Sequence, residues 1–496
     1  MSEILGGLGI NKPQWRLLDA TPETQENIRL LENLGKKMFA ETSLVREGVV
    51  AENDVQTAKK FLAEAIHQIN PKFAWASLFE HYIISTEMAK RVGHSAVEHG
   101  IAVNPAEIQF ATMLHDAGRL ATQDYLRNDL ITDHLFRKWG ISAGHGEVYP
   151  SLTKLLRATD DLKLNEQQLH FQKPMTTEQK AMAQTLYNSL SPAQRIVNYC
   201  DNLGKRGQNG LFDMQSFLDY LKSQEDRHPQ SSGWPSVSFA IKRRQASAVL
   251  QAYAIEETTQ WLQEKGVDLD AIHAELKDYG PRFVLLVRHG EVENTRGIVY
   301  NLDELMKDED RIHISEKGRE QMRSVARIVQ ERRFPVSKLF LSTQKRAEES
   351  MGEIATALGM DASTAEKIPE LNDLRAPYPY KSGMTMKELK SRGGNVYDLP
   401  ETEQPNKIVE RTQLAFHNIA QRLNAGETAV AVVHGDPTAW LLNSLYRGPD
   451  RPLPAPKDLR TENYPPKGSC TAVILDGEGK YFTHYFLTDS AGKNTY

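Results

Sequence analysis

The sequence predicts two domains, an all-α N-terminal one and an α/β C-terminal one with three layers around a mostly parallel sheet. Three observations predict this. The 496 residues exceed what one ordinary core organises. Up to about residue 265, apolar side chains recur at helical spacing, as in Leu62, Ile66 and Ile69 or in Phe217, Leu218 and Leu221. Beyond about residue 280 the pattern changes to short continuous apolar runs alternating with helical stretches.

In the first half, breaks fall at Asn70-Pro71, Asn104-Pro105, Ser191-Pro192 and Ser231-Ser232-Gly233. A last helix over roughly 237–265 stops at Gly266, and a connector runs to Tyr279-Gly280-Pro281. The expected organisation is a helical extension over 1–60, an all-α domain over 61–265, a linker over 266–281 and an α/β domain over 282–496. In the last of these, Phe283 to Val287, Lys338 to Leu341 and Thr428 to Val433 read as strands buried on both faces. Helices are expected at about 316–332, 344–358 and 405–424.

Composition narrows the function classes. A net charge of −5 leaves no global basic footprint for nucleic acid, so any phosphate site must be built from a few local cations. No apolar window is long enough to predict a membrane span. The opening stretch MSEILGGLGINKPQW does not read as a signal peptide. Cys200 and Cys470 lie far apart, which fits a reducing compartment, so the expected location is the cytoplasm. Oligomeric state is not legible.

Ligands of open α/β sheets bind beyond the carboxyl ends of the strands. The first apolar run ends in Arg288-His289-Gly290-Glu291, followed by Glu293-Asn294. The second ends in Ser342-Thr343-Gln344-Lys345-Arg346-Ala347, and the third in His434-Gly435-Asp436-Pro437. Two arginines and two histidines are thus expected at one sheet edge. Phosphoryl transfer needs positioning and charge neutralisation, which arginine forks supply. A neutral imidazole can attack in line, and a carboxylic acid must protonate the leaving oxygen. Gly290 is expected to let the backbone pass close to the bound anion.

Residues 282–490 resemble the histidine phosphatase superfamily, the phosphoglycerate mutase-like fold, in the "RHGE" opening, the "S-x-x-x-R-A" strand end and the late "HGD". Ile314-Ser315-Glu316-Lys317-Gly318-Arg319 is similar to that family's segment entering its first helix. The resemblance implies that His289 is the nucleophile, that Arg288, Arg346 and His434 cradle the phosphate, and that Asn294 adds a contact, without a cofactor. Within Pro369-Glu370-Leu371-Asn372-Asp373-Leu374, it assigns the acid to Asp373, with Glu370 as runner-up. Thr343 stands where the family usually has proline, and Arg375 to Tyr380 replace its glycine- and tryptophan-containing stretch. The acidic loop from Arg296 to Arg311 is expected to border the pocket. No mutase substrate segment is matched, which favours a phosphatase.

The N-terminal half holds His115-Asp116, with His81 upstream and Asp201 downstream on amphipathic stretches. Imidazole and carboxylate together suit a divalent metal such as manganese, iron, zinc or magnesium. Over roughly 70–225 this stretch resembles the HD-domain metal phosphohydrolases, which implies that His81, His115, Asp116 and Asp201 are ligands. His145 is the candidate for a second metal or the substrate, with His134 and His170 weaker. His94 and His99 read as polar residues at the end of the His81 helix, and Lys205-Arg206 as a helix end that could meet a phosphate. The main expectation is a bifunctional phosphohydrolase. Its N-terminal domain would cleave a nucleotide-like phosphoester with metal, and its C-terminal domain a small phosphomonoester, in consecutive steps. The alternatives are a single histidine phosphatase with a metal- or nucleotide-sensing HD domain, and a non-catalytic scaffold.

Overall fold

The computed structural model describes residues 21–47, 49–69, 75–122, 128–141, 163–169, 173–207, 210–211, 213, 215–217, 219, 237–294, 297, 312–391, 396–448, 451–456, 458–459 and 464–488. The chain divides into two compact units, one helical and ending at Tyr279, the other running from Gly280 and including residues 70–76. Among the described residues, no helix is long and apolar enough to cross a membrane. Cys200 and Cys470 are both free and buried.

In the helical unit the sequence breaks become helix starts. Asn104 caps Pro105–Leu114, its side chain accepting from the Ala106 and Glu107 N–H groups. Ser191 and Gln194 form a capping box at the start of Pro192–Leu203, with Pro192 in the first turn, where its missing N–H costs nothing. Residues expected as a separate extension pack into this unit. Phe39, from helix Pro22–Phe39, lies against the rings of Phe61, Phe110 and Trp139. The stretch expected as a linker is largely a helix, Leu269–Leu276. Its Leu269, Ile272 and Leu276 join a core with Met88, Val92, Ile196 and Leu262, because their helical spacing gives them one apolar face to bury. A small hairpin, β1 (Arg206–Gly207) with β2 (Gly210–Leu211), interrupts the otherwise helical architecture.

The second unit is built on a mixed, mostly parallel six-stranded sheet. Its strands are β3 (Arg282–Arg288), β4 (Val336–Leu341), β5 (Glu366–Lys367), β6 (Thr428–Val433), β7 (Cys470–Leu475) and β8 (Tyr481–Phe486), in the order β5-β4-β6-β3-β7-β8. β3 pairs with β6, and β4 with both β6 and β5, in parallel; β7 and β8 complete one edge antiparallel. The continuous apolar runs mark β3, β4 and β6 because helices cover both sheet faces. Val284, Leu286, Ala429 and Ala431 bury one face with helices Pro405–Gln421 and Gly435–Arg447. Phe283, Leu285 and Val287 are buried on the alternate face, where helix Lys345–Leu358 packs on β4, β6 and helix Glu316–Glu331.

The register positions the site. Arg288 pairs with Val433, and Leu341 with Val432, so β4, β6 and β3 end level with one another as adjacent strands. Gly290 also meets a close backbone crossing. A Cβ there would lie 2.5 Å from the Gly318 carbonyl oxygen, and a Cβ on Gly318 would lie 2.2 Å from the Glu291 carbonyl oxygen. The two glycines let the loop after β3 cross the start of helix Glu316–Glu331, where Ser315 caps by accepting from the Gly318 N–H. Gly318→Ala is therefore expected to destabilise this unit by about 1–3 kcal/mol, as overpacking typically does. Urea unfolding followed by tryptophan fluorescence would measure it, and an unchanged midpoint would remove the close-crossing argument.

Candidate functional site

His289 leaves β3 still in sheet-like bonding, its N–H donating to the Val433 carbonyl at 3.1 Å. Its side chain is 2% exposed. Its Nδ1–H donates to the Gly290 carbonyl at 2.9 Å. A carbonyl only accepts, so this bond assigns the proton to Nδ1 and leaves Nε2 with a lone pair. Burial, then the charges of Arg346 and Arg288, hold the ring well below the ordinary imidazole range, so it is neutral at pH 7.

His434 follows β6, its ring centroid 5.2 Å from that of His289. Ser342, just past β4, has its Oγ 2.6 Å from His434 Nε2. His434 Nδ1 is buried without a hydrogen bond and faces Asp373 Oδ2 at 3.8 Å. Burial, Arg346 and His289 keep this ring neutral too. Arg346 is wholly buried, and its Nη2 donates to Gln344 Oε1 at 2.7 Å and to Asp373 Oδ2 at 2.9 Å.

Asp373 is the carboxylate brought to this edge. Burial raises its pKa, Arg346 opposes this and Asp436 reinforces it, with a net upward shift. Its loop is clamped from both sides. Arg411, on helix Pro405–Gln421, donates to the carbonyls of Glu370, Asn372 and Asp373 at 2.5, 2.8 and 3.2 Å. Thr343 donates through its N–H and hydroxyl to Asn372 Oδ1 at 2.8 and 2.9 Å. The departure from proline at Thr343 thus ties the second strand end to the acid loop. Glu370, the runner-up, meets this network through its backbone carbonyl. Asn294 is half-buried on the loop leaving His289, with its carbonyl accepting from the Gly297 N–H. Most of the loop from Arg296 to Arg311 lies outside the described residues. Sequence reasoning missed Arg411, Ser342 and Gln344 as parts of the site. Only the two residues near Arg346 carried any signal, by sharing its strand end.

The helical unit gathers the other set. His81 comes from helix Ala76–Glu98, His115 and Asp116 from the end of Pro105–Leu114, and Asp201 from the last turn of Pro192–Leu203. His81 Nε2 lies 3.2 Å from His115 Nε2 and 3.7 Å from Asp116 Oδ2, and His115 Nε2 lies 3.4 Å from that same oxygen. Asp201 Oδ1 lies 3.1 Å from His81 Nε2 and 2.9 Å from His115 Nε2. Donors held at ~2.0–2.2 Å from one ion stand ~3 Å apart, and the ligand atoms of His81, His115 and Asp116, all within 4.8 Å of one another, could hold one cation. His115 Nδ1–H donates to the Thr112 carbonyl at 2.6 Å, which turns its Nε2 into the cluster. Burial lowers His81 to about 4. Burial would lower His115 too, but Asp116 and Asp201 outweigh it and raise it well above the usual range. Two buried carboxylates here call for more positive charge than neutral imidazoles provide. His134 is elsewhere, with its Nε2 2.5 Å from Glu32 Oε1. His94 and His99 are exposed at the end of the His81 helix. His145 and His170 lie outside the described residues.

Residues 284–485 match the family model of the histidine phosphatase superfamily (branch 1), and this segment is a domain of that superfamily. No curated protein matches the chain. Solved structures similar to it include a mycobacterial glucosyl-3-phosphoglycerate phosphatase, at 16% identity over 42% of this chain and 97% of that one, with a TM-score of 0.31. A putative alpha-ribazole-5'-P phosphatase from Escherichia coli is 14% identical over 41% of this chain and 94% of that one, with a TM-score of 0.31. A phosphoglycerate mutase from Bacillus anthracis is 16% identical over 41% and 92%, with a TM-score of 0.30.

The two neutral imidazoles make stability pH-dependent. Their folded pKa values lie below the unfolded value of about 6.5, so below that pH the unfolded chain binds more protons. Their contribution is complete above about pH 6.5 and is lost as the pH falls toward their folded values. Asp373, shifted upward, acts in the opposite sense, so a difference between proteins is the cleaner measure. Thermal unfolding at about pH 7.5 and 5.5 should show a smaller acid-induced drop in His434→Gln than in wild type. Equal drops would sink this account.

Proposed function

We propose that the C-terminal domain hydrolyses small phosphomonoesters through a phosphohistidine on His289. The observation that carries this reading is the bare Nε2 of a buried, tautomer-fixed imidazole beside Arg346 and His434. Arg288, Arg346 and His434 hold the phosphoryl oxygens, and Asn294 adds a contact from the loop beyond His289. The His289 Nε2 lone pair forms the N–P bond as the P–O bond to the leaving group breaks, and the Asp373 proton passes to that oxygen. Water then attacks phosphorus, the N–P bond breaks, and the Asp373 carboxylate takes the proton of the water. The upward shift of Asp373 supports its acid role.

A second reading concerns the helical unit, and the converging donors favour it. His81, His115, Asp116 and Asp201 would hold a divalent metal, as in an HD-type phosphohydrolase acting on a nucleotide-like phosphoester. The metal would supply a Lewis acid that activates water and neutralises phosphate charge. Thr112 fixes the tautomer of His115, Tyr82 donates to the Asp116 carbonyl at 2.7 Å, and Arg119 Nε lies 2.9 Å from Asp116 Oδ2. With both centres active the chain would be bifunctional.

Wild type, Asp116→Ala and His289→Ala should be compared for metal content and for hydrolysis of nucleotides and sugar phosphates. His289→Ala should lose both acid-labile phosphate on the protein and phosphomonoesterase activity while keeping metal. Full phosphomonoesterase activity in His289→Ala would overturn the first reading. Asp116→Ala should lose metal and the nucleotide-directed activity. Loss of metal with all hydrolysis intact would make the helical unit a sensor instead. Asp373→Asn should slow alkyl phosphates by ~10²–10⁴-fold, the usual range for a general acid, and p-nitrophenyl phosphate much less, because that leaving group needs no proton.

A further inference from the structure

We propose that Tyr464, anchored by Asp436, is the positioning residue that aims Arg288 at the phosphoryl group; this rests on the phosphohistidine reading of the C-terminal domain. Arg288 is the last residue of β3, and its long side chain carries rotamer freedom that must be restrained for it to aim at one point. Two adjacent residues, Tyr464 and Pro465, meet the guanidinium. Its Cζ lies 5.2 Å from the centroid of the Tyr464 ring, within cation–π range, and its Nη1 donates to the Pro465 carbonyl at 2.8 Å.

Tyr464 is itself fixed. Its hydroxyl donates to Asp436 Oδ2 at 3.1 Å, while the hydroxyl of Tyr397 donates to Asp436 Oδ1 at 3.2 Å. Trp440 Nε1 in turn donates to the Tyr397 oxygen at 2.6 Å. Asp436, Tyr397, Tyr464 and Trp440 are all buried, so this network is rigid and shielded from water. Gly435 makes the arrangement possible. A Cβ there would stand 2.3 Å from the Tyr464 hydroxyl oxygen and 2.9 Å from Arg288 Cζ, so tyrosine and guanidinium both press against bare backbone next to His434. The same loop braces the nucleophile, because the Gly468 N–H donates to the His289 carbonyl at 3.1 Å and to the Arg288 carbonyl at 3.2 Å.

A residue that only completes the core would, when removed, lower stability and leave the affinity of the folded protein for phosphate unchanged. A positioning residue changes that affinity. The ring and the hydroxyl make separable contributions: phenylalanine keeps the cation–π surface and loses the anchor, whereas alanine loses both.

The test uses the full chain of wild type, Tyr464→Phe and Tyr464→Ala. It measures inorganic phosphate binding by calorimetry, the KM and kcat for p-nitrophenyl phosphate, and the unfolding temperature. The expected result is weaker phosphate binding and a higher KM in Tyr464→Ala by ~10-fold or more, as for loss of a buried charge-assisted contact. Tyr464→Phe should lie between that variant and wild type. Asp436→Asn, which keeps the shape and weakens the hydroxyl anchor, should follow Tyr464→Phe. Phosphate affinity and KM at wild-type values in Tyr464→Ala, with only the unfolding temperature lowered, would overturn the inference and leave the phosphohistidine reading intact. A wild type that neither binds phosphate nor turns over would instead bring down that reading, and this inference with it.

Discussion

Arg346 carries its charge where water does not reach, and that burden shapes the domain around it. A buried guanidinium needs acceptors on its donors, and Gln344 and Asp373 supply two. Those acceptors have to be delivered from different parts of the chain to within hydrogen-bond reach. The level ends of β4, β6 and β3 deliver Gln344 and both histidines, and the Arg411 clamp holds the acid loop. Burial first, and then the positive field that results, keep His289 and His434 neutral. A site of this kind is complementary to a dianion before one arrives, so little reorganisation is needed on binding.

The helical unit meets the opposite burden. Asp116 and Asp201 bring negative charge into a buried helix junction, and the neighbouring imidazoles and Arg119 answer it. In the absence of another cation, His115 is driven toward its charged form by the two carboxylates. One unit thus concentrates cations with neutral imidazoles, and the other concentrates carboxylates with imidazoles. Both arrangements are costly for the fold, because buried charge must be answered by partners.

The α/β texture, the three strand ends and the capped helix starts were legible because each rests on a local rule. Continuous apolar runs mark strands covered on both faces, and Asn104 and Ser191-Pro192 cap or open helices by short-range bonds. The antiparallel edge of β7 and β8 carries less local signal, since its partners are chosen by the sheet already formed. The helix Leu269–Leu276 was read as connector because it is short, and only the neighbouring helices reveal the apolar face it buries. The crowding of Gly290 against Gly318 was not legible, because Gly318 stands beyond a long loop.

The sequence by itself determined which residue types stand at the ends of β3, β4 and β6 and at His81, His115, Asp116 and Asp201, because motif chemistry is written in short stretches. It preferred Asp373 to Glu370, three residues away, only through a resemblance. Tertiary structure separates their surroundings: Arg346 takes the Asp373 carboxylate, and Arg411 holds the Glu370 backbone. Tertiary structure also decided what supports the site, in Arg411, Ser342, Tyr464 and Asp436, since these act across distances that no local pattern records. The physical reason is that side-chain chemistry is local, whereas burial, charge compensation and tautomer choice depend on what the rest of the chain packs around each group.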